Sequence, residues 1–302
     1  DGVKRSWEAA VAAAEPFGGV LPRWQLHVLG LGRREIARAV KAGRWSGHGT
    51  HTIALHTGPL SEHAARWRAI WETAQGVALL DGVSSLHAAG LTGFSERLIH
   101  VSVPRNARCP QPEGVRIHRL RQSPSERVEG GIPRTRSEVA AVRAAHWALT
   151  DRQAALILAM AVQQRLTTGM RLVAATQEVT CRARRSFIKA VAIDVAGGAE
   201  SLGELDFARA CRRHGIPEPS RQVVRQGTAG RIYLDARWDR SKVVVEIDGA
   251  GHRWGLAVSA DNLRANEVSL GGDTVLRIDL LGLRLNGDEF LAHVRRAVTG
   301  CV

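Results

Sequence analysis

The stretch KVVVEIDGAGH, residues 242–252, constrains this chain more than any other. Val243 to Val245 read as the start of a buried strand. That strand then carries Glu246 and Asp248 and runs out through Gly249 and Gly251 to His252. Strand side chains alternate, so Val243, Val245 and Ile247 share one face, and Val244, Glu246 and Asp248 share the other. Apolar residues on both faces predict a central strand covered on both sides. Glu246 and Asp248 then lie about 6.5 Å apart along one face. Two like charges that close, partly out of water, destabilise a fold unless something neutralises them. Carboxylate oxygens are the ligands that magnesium prefers, so a divalent cation is the expected neutraliser.

A third acid, Asp235, sits in the preceding predicted strand, RIYLDARW, and a polar turn separates the two strands. If they pair as a hairpin, Asp235 reaches Glu246 across it, and the pair makes a magnesium clamp. The surrounding pattern is regular. SLGELDFARACRRHG predicts a helix ended by Gly215 and Pro217, and RQVVRQ predicts a strand before the other two. SADNLRANEVSLGG then predicts a helix, TVLRIDL a strand and GDEFLAHVRRAV a last helix. Helix, three-stranded meander, helix, strand and helix make an α/β sandwich of ordinary domain size over residues 196–302.

Five pieces in order carry a resemblance: Glu204, Asp235, EIDGAGH, DNLR (Asp261 to Arg264) and TVLRIDL. Together they resemble the PD-(D/E)XK nuclease superfamily, most closely the branch related to very-short-patch repair endonucleases. The resemblance spans about residues 200–285 and implies a restriction-endonuclease-like fold that hydrolyses phosphodiester bonds with Mg2+, or with Mn2+ in its place. It implies Asp235 and Glu246 as metal ligands, the carbonyl of Ile247 as a further ligand, and Glu204 acting through water. Asp248 stands where many members of the superfamily carry Lys. The resemblance therefore gives the proton-transfer or phosphate role to His252 or Arg264, and imidazole chemistry suits His252 near neutral pH. Plainer roles stay open to each residue. Ser201 and Glu204 also form a capping box, and Asp235 or Asp248-Gly249 would serve in a turn. His252 would serve as a packing histidine, and Asp261 with Arg264 as a surface ion pair.

The first 58 residues have another character. SWEAAVAAAEPFGG, LPRWQLHVLGLG and GRREIARAVKAGRW predict three short helices, and RWSGHGTHTIALH predicts a two-stranded wing. In the third helix Ile36, Ala39 and Val40 fall at apolar spacing, while Arg33, Arg34, Arg38 and Lys41 are basic. This is the order of a winged helix-turn-helix, whose third helix enters the major groove. A solvated basic face is the plainer alternative. The spacing of His48, His51 and His56 fits no standard metal-ligand pattern. LPRWQLHVLGLGRREIARAVKAGRW resembles the winged-helix domain of abortive-infection type IV antitoxins, although HTIALH replaces that family's usual end of the wing.

Residues 59–195 predict a connecting region, first mixed α/β and then helical, with a polar linker at residues 122–136. The chain as a whole thus reads as mixed α+β. A net charge of +13 and a pI near 11.0 suggest a polyanionic partner, DNA above all. No apolar run reaches the length of a membrane span, residues 1–20 lack a signal-peptide core, and the four cysteines form no C-x-x-C pair. These features predict a cytoplasmic protein with free thiols and no membrane partner; a homodimer stays open, and the antitoxin resemblance leaves room for a toxin partner. Two functions follow as expectations. One is a Mg2+-dependent DNA endonuclease or nicking nuclease targeted by the winged helix. The other is a non-catalytic DNA-binding regulator, antitoxin-like, with a degenerate nuclease fold.

Overall fold

In the computed structural model, which describes residues 2–196, 207–226, 232–248, 262, 263, 266 and 274–300, helix α1 (Gly2–Ala14) stops where Pro16 and two glycines follow. Gly18 and Gly19 have φ of +73° and +84°, which glycine adopts without strain. The chain then forms β1 (Val20–Pro22), α2 (Arg23–Val28), α3 (Arg33–Lys41), β2 (Ser46–Gly47) and β3 (Thr52–Ala54). The three strands make one sheet in the order β1-β3-β2, with both pairings antiparallel. That is winged-helix topology, and β1 is the strand the sequence reading merged into its second helix. Leu21, Leu26, Leu31, Ile36, Ala39, Trp45 and Ile53 fill its core.

The same unit continues with α4 (Glu62–Ala74), β4 (Leu79–Leu80), α5 (Gly82–Ala88), β5 (Ile99–Pro104) and β6 (Val115–Leu120). Ser61 and Asp81 cap α4 and α5 with side-chain oxygens. β5 lies between β4, antiparallel to it, and β6, parallel to it. Phe17 meets Trp67 edge to face at 4.8 Å between ring centres, and Trp67 stacks on Trp71 at 5.3 Å. The polar stretch 122–136 is packed rather than free. Leu80 accepts from Thr135 N and donates to Pro133 O, while Ile132 and Thr135 are buried.

Two compact units result, Asp1–Arg136 and Ser137–Val302. The division falls inside the predicted connecting region, because the helices after Arg136 pack against one another and against the helix Leu280–Leu285 that follows the C-terminal sheet. These are α6 (Ser137–Trp147), α7 (Asp151–Gln163), α8 (Gly169–Glu178) and α9 (Arg185–Ala196). The run from Val139 to Ala145 on α6 is almost wholly buried, and its alanines let neighbouring helices approach closely. Gly169 is required at the start of α8, since a Cβ there would lie 2.3 Å from Ala196 Cα.

The rest of the second unit comprises α10 (Phe207–Arg213), β7 (Arg221–Gln226), β8 (Ile232–Trp238), β9 (Val243–Asp248), β10 (Val275–Asp279), α11 (Leu280–Leu285) and α12 (Gly287–Thr299). The sheet order is β10-β9-β8-β7, antiparallel through the meander and parallel between β9 and β10. Val243, Val245 and Ile247 are fully buried with Ala236, Trp238, Leu276 and Ile278 against Phe207, Phe290 and Val294. β9 is central, as predicted, but among the described residues its second face is less buried than its first. Val244 and Glu246 are only half-buried, and Arg237, Val275 and Arg277 on flanking strands are exposed. Asp194 of α9 is buried and paired with Arg284 of α11, so its charge is neutralised inside the unit. No helix among the described residues is long and apolar enough to cross a membrane.

Candidate functional sites

The first candidate site is a row across the C-terminal sheet. The meander register sets Val223 opposite Asp235, and Asp235 opposite Glu246. The parallel ladder continues the row from Glu246 to Arg277. The predicted hairpin pairing of Asp235 with Glu246 is therefore present at the level of the backbone. Asp248 lies two residues along β9, paired with Tyr233 on one side and Asp279 on the other. The side chains of Asp235 and Asp248 lie outside the described part of the structure, as do Glu204, His252, Asp261 and Arg264 entirely.

Glu246 keeps 38% of its side chain exposed, so solvent shares its charge more than the sequence reading allowed. Arg277 Nε lies 3.3 Å from Glu246 Oε2. Arg277 is held from behind by Asn266, whose side chain bonds both the N–H and the C=O of Arg277 at 2.9 Å. Asp279 caps α11 by accepting from Gly282 N at 2.6 Å, and its other oxygen lies 3.4 Å from Asn262 Nδ2. Asn262 and Asn266, one helical turn apart, thus clamp β10. Sequence reasoning missed Arg277, Asn262 and Asn266 as site residues. The signal for them was an i, i+4 pair of asparagines ahead of a strand carrying one arginine. Among the described residues no group of three His, Cys, Asp or Glu side chains is placed to hold a metal.

The second candidate site is the outer face of α3. Ile36 and Ala39 are buried beneath it, whereas Val40, the third residue at the apolar spacing, is 36% exposed. Arg33, Arg34, Arg38 and Lys41 are all exposed. Arg34, Arg38 and Lys41 follow the i, i+4, i+7 spacing of a single helical stripe. The wing behind them is anchored. Glu72 of α4 is buried, and its carboxylate accepts from Thr50 N, His51 N, Thr52 N and Thr52 Oγ1 at 2.7–2.8 Å. Arg68 donates to His48 O at 2.7 Å and Arg23 to Thr50 O at 2.9 Å. Gly49, at φ +124°, has no room for a side chain, because a Cβ would lie 2.4 Å from the Glu72 carboxyl carbon. His48 bonds Ser46 Oγ at 3.0 Å, and its pKa is lowered by burial and by nearby Arg68.

No protein-family model and no curated protein matches the chain. The crystal structure of the RV2827C protein from Mycobacterium tuberculosis is similar over 67% of this chain and 80% of its own, at 16% identity and a TM-score of 0.43. At that score the likeness carries no weight for fold or function.

Proposed function

We propose that the chain is a Mg2+-dependent DNA endonuclease or nicking nuclease, directed to its substrate by the winged helix. The observation that supports this most is the direct register of Asp235 with Glu246 in the antiparallel pair β8–β9. Opposed residues of such a pair hold their Cβ atoms about 5 Å apart, close enough for two carboxylates to share one ion. Oxygen donors on a half-exposed strand face suit magnesium or manganese, so the residues fit the group that the PD-(D/E)XK resemblance implies. Asp235, Glu246 and the Ile247 carbonyl would hold it. The ion, when bound, would make water a stronger nucleophile and offset charge developing on phosphorus. Arg277, beside Glu246, would meet a phosphate oxygen, and the α3 stripe would hold the duplex backbone.

The test pairs Mn2+ calorimetry with plasmid nicking on wild type, Asp235→Ala and Glu246→Ala. Binding and nicking lost together in both variants, with folding and DNA affinity kept, is the expected result. Nicking retained by both would overturn the proposal. A second reading rests on the Arg277–Glu246 pair, which already neutralises one acid. In that reading the chain is a DNA-binding regulator, antitoxin-like, and wild type shows DNA affinity with neither Mn2+ binding nor nicking.

A further inference from the structure

The parallel pairing of β5 and β6 brings both carboxyl ends, Pro104 and Leu120, to one edge of their sheet. The segments that leave those ends carry Arg105 and Arg121, and a cleft of about 580 Å³ opens between them. Its apolar floor includes Leu79 and Leu120, with Val77 at the rim. Arg127 closes the far wall and donates to Gly76 O at 3.3 Å, while its own N–H is held by Pro124 O. Gln122 is oriented by its hydrogen bond to Ser102 Oγ at 3.1 Å. Among the described residues no acidic side chain lines the cleft, and Arg105 and Arg121 take no hydrogen bond or ion pair.

Three guanidinium groups around one cleft, with no carboxylate among them, are unbalanced charge. Two half-buried arginines of the chain do have acids in reach, Arg66 with Glu62 and Arg184 with Asp151. Here an anionic ligand would supply the balancing charge. A carboxylate supplies one negative charge, whereas a phosphate monoester near neutral pH supplies nearly two and three acceptor oxygens in a geometry that guanidinium forks match. The cleft is larger than one phosphate, and its apolar floor suits an organic group joined to it. Ligands of α/β units also gather at the carboxyl ends of parallel strands, the edge where this cleft lies. We infer that the cleft binds a phosphate monoester with its organic group on the Leu79–Leu120 floor, either a free nucleotide or the terminal phosphate of a nucleic-acid strand. The site is separate from the Asp235–Glu246 row and does not depend on the nuclease reading.

The experiment is calorimetry on the full chain with adenosine 5′-monophosphate, adenosine, and a short oligodeoxyadenylate with or without a 5′-phosphate. The expected result is that each phosphorylated probe binds at least about ten-fold tighter than its phosphate-free form. Arg105→Ala/Arg121→Ala should remove that difference without shifting the melting temperature, since both residues are exposed. Arg34→Ala/Arg38→Ala, outside the cleft, should keep it, which separates a built site from general attraction to a basic protein. A mononucleotide that binds as tightly as the phosphorylated strand identifies a nucleotide site. A strand that binds far tighter identifies a strand-end site. Equal binding of phosphorylated and unphosphorylated probes, an unchanged difference in the cleft variant, or equal loss in the α3 variant overturns the inference.

Discussion

Arg277 stands beside Glu246 in the parallel β9–β10 ladder, with its Nε 3.3 Å from Glu246 Oε2. The pair is solvated, with side-chain exposures of 69% and 38%. Exposed pairs of this kind contribute at most about 1 kcal/mol to stability. Their effect on a neighbouring cation is of similar size, because a positive charge a few ångströms from a ligand repels it by about 1 kcal/mol in well-solvated surroundings.

Arg277→Ala should therefore leave the melting temperature within about 3 °C of wild type. It should tighten Mn2+ binding roughly five-fold, the equivalent of about 1 kcal/mol, while lowering nicking. Calorimetry and thermal melting on the same samples read both effects. Unchanged Mn2+ affinity would mean that Glu246 is not a ligand.

The α3 stripe makes a prediction in salt dependence. If Arg38 and Lys41 each meet a phosphate, Arg38→Ala/Lys41→Ala should make the slope of log affinity against log salt shallower by about 2, close to 0.9 for each phosphate no longer neutralised. Anisotropy titrations of a labelled duplex between low and physiological salt measure it. A slope equal to that of wild type would remove α3 from the interface.

Glu72 and Gly49 predict stability rather than binding. Glu72→Gln leaves buried N–H donors of the wing facing an amide, and hydrogen bonds to charged groups contribute about 1.5–3 kcal/mol each, so a loss of about 3 kcal/mol is expected. Gly49→Ala should destabilise too, through both its φ and its collision with the Glu72 carboxylate. Urea unfolding should show a lower midpoint for both variants. Wild-type midpoints would mean that the wing is not held by α4.

His100 and His118, on neighbouring strands, lie with ring nitrogens 3.2 Å apart. The His100 pKa is lowered, first by burial; Glu96 and Asp81 oppose the shift and Arg116 adds to it. Its folded pKa therefore lies below the unfolded value of 6.5. Between the two values the unfolded chain binds a proton that the folded chain refuses. Stability is thus full above about pH 6.5 and falls as pH drops through that window. His48, His87 and His146 shift in the same direction, so His100→Asn should remove part of the decline between about pH 7.5 and 5. Urea midpoints at both pH values test it. A decline as steep as that of wild type would exclude His100 as a source.

What could be read from the chain beforehand follows the range of each interaction. The Asp235–Glu246 register was legible because a short polar turn joins the two strands and leaves few ways to pair them. The winged-helix order was legible because its helices end at glycines and prolines. Arg277 was not, because β10 reaches β9 over a long connection and nothing local fixes that register. Glu72 reads as one more charge on an amphipathic helix, since its partners are backbone groups of a wing tip about twenty residues earlier. The stretch 122–136 reads as a linker from its polarity, yet Ile132 and Thr135 are buried. Its burial depends on pairing with β4, which composition does not encode. The unit boundary at Arg136 was hidden for the same reason, since the α6–α9 helices have apolar faces that fit any partner of similar shape.

The parallel placement of β10 also sets an order in time. The antiparallel strands β7 to β9 join through short connections and leave the ribosome before β10, which must close a long loop to reach its place. The paired acids of the meander are thus laid down first, and Arg277 arrives last. A chain interrupted before Val275 carries Asp235 and Glu246 without the cation that flanks them. The last strand of the row to be synthesised thus brings the cation that offsets one of its two acids.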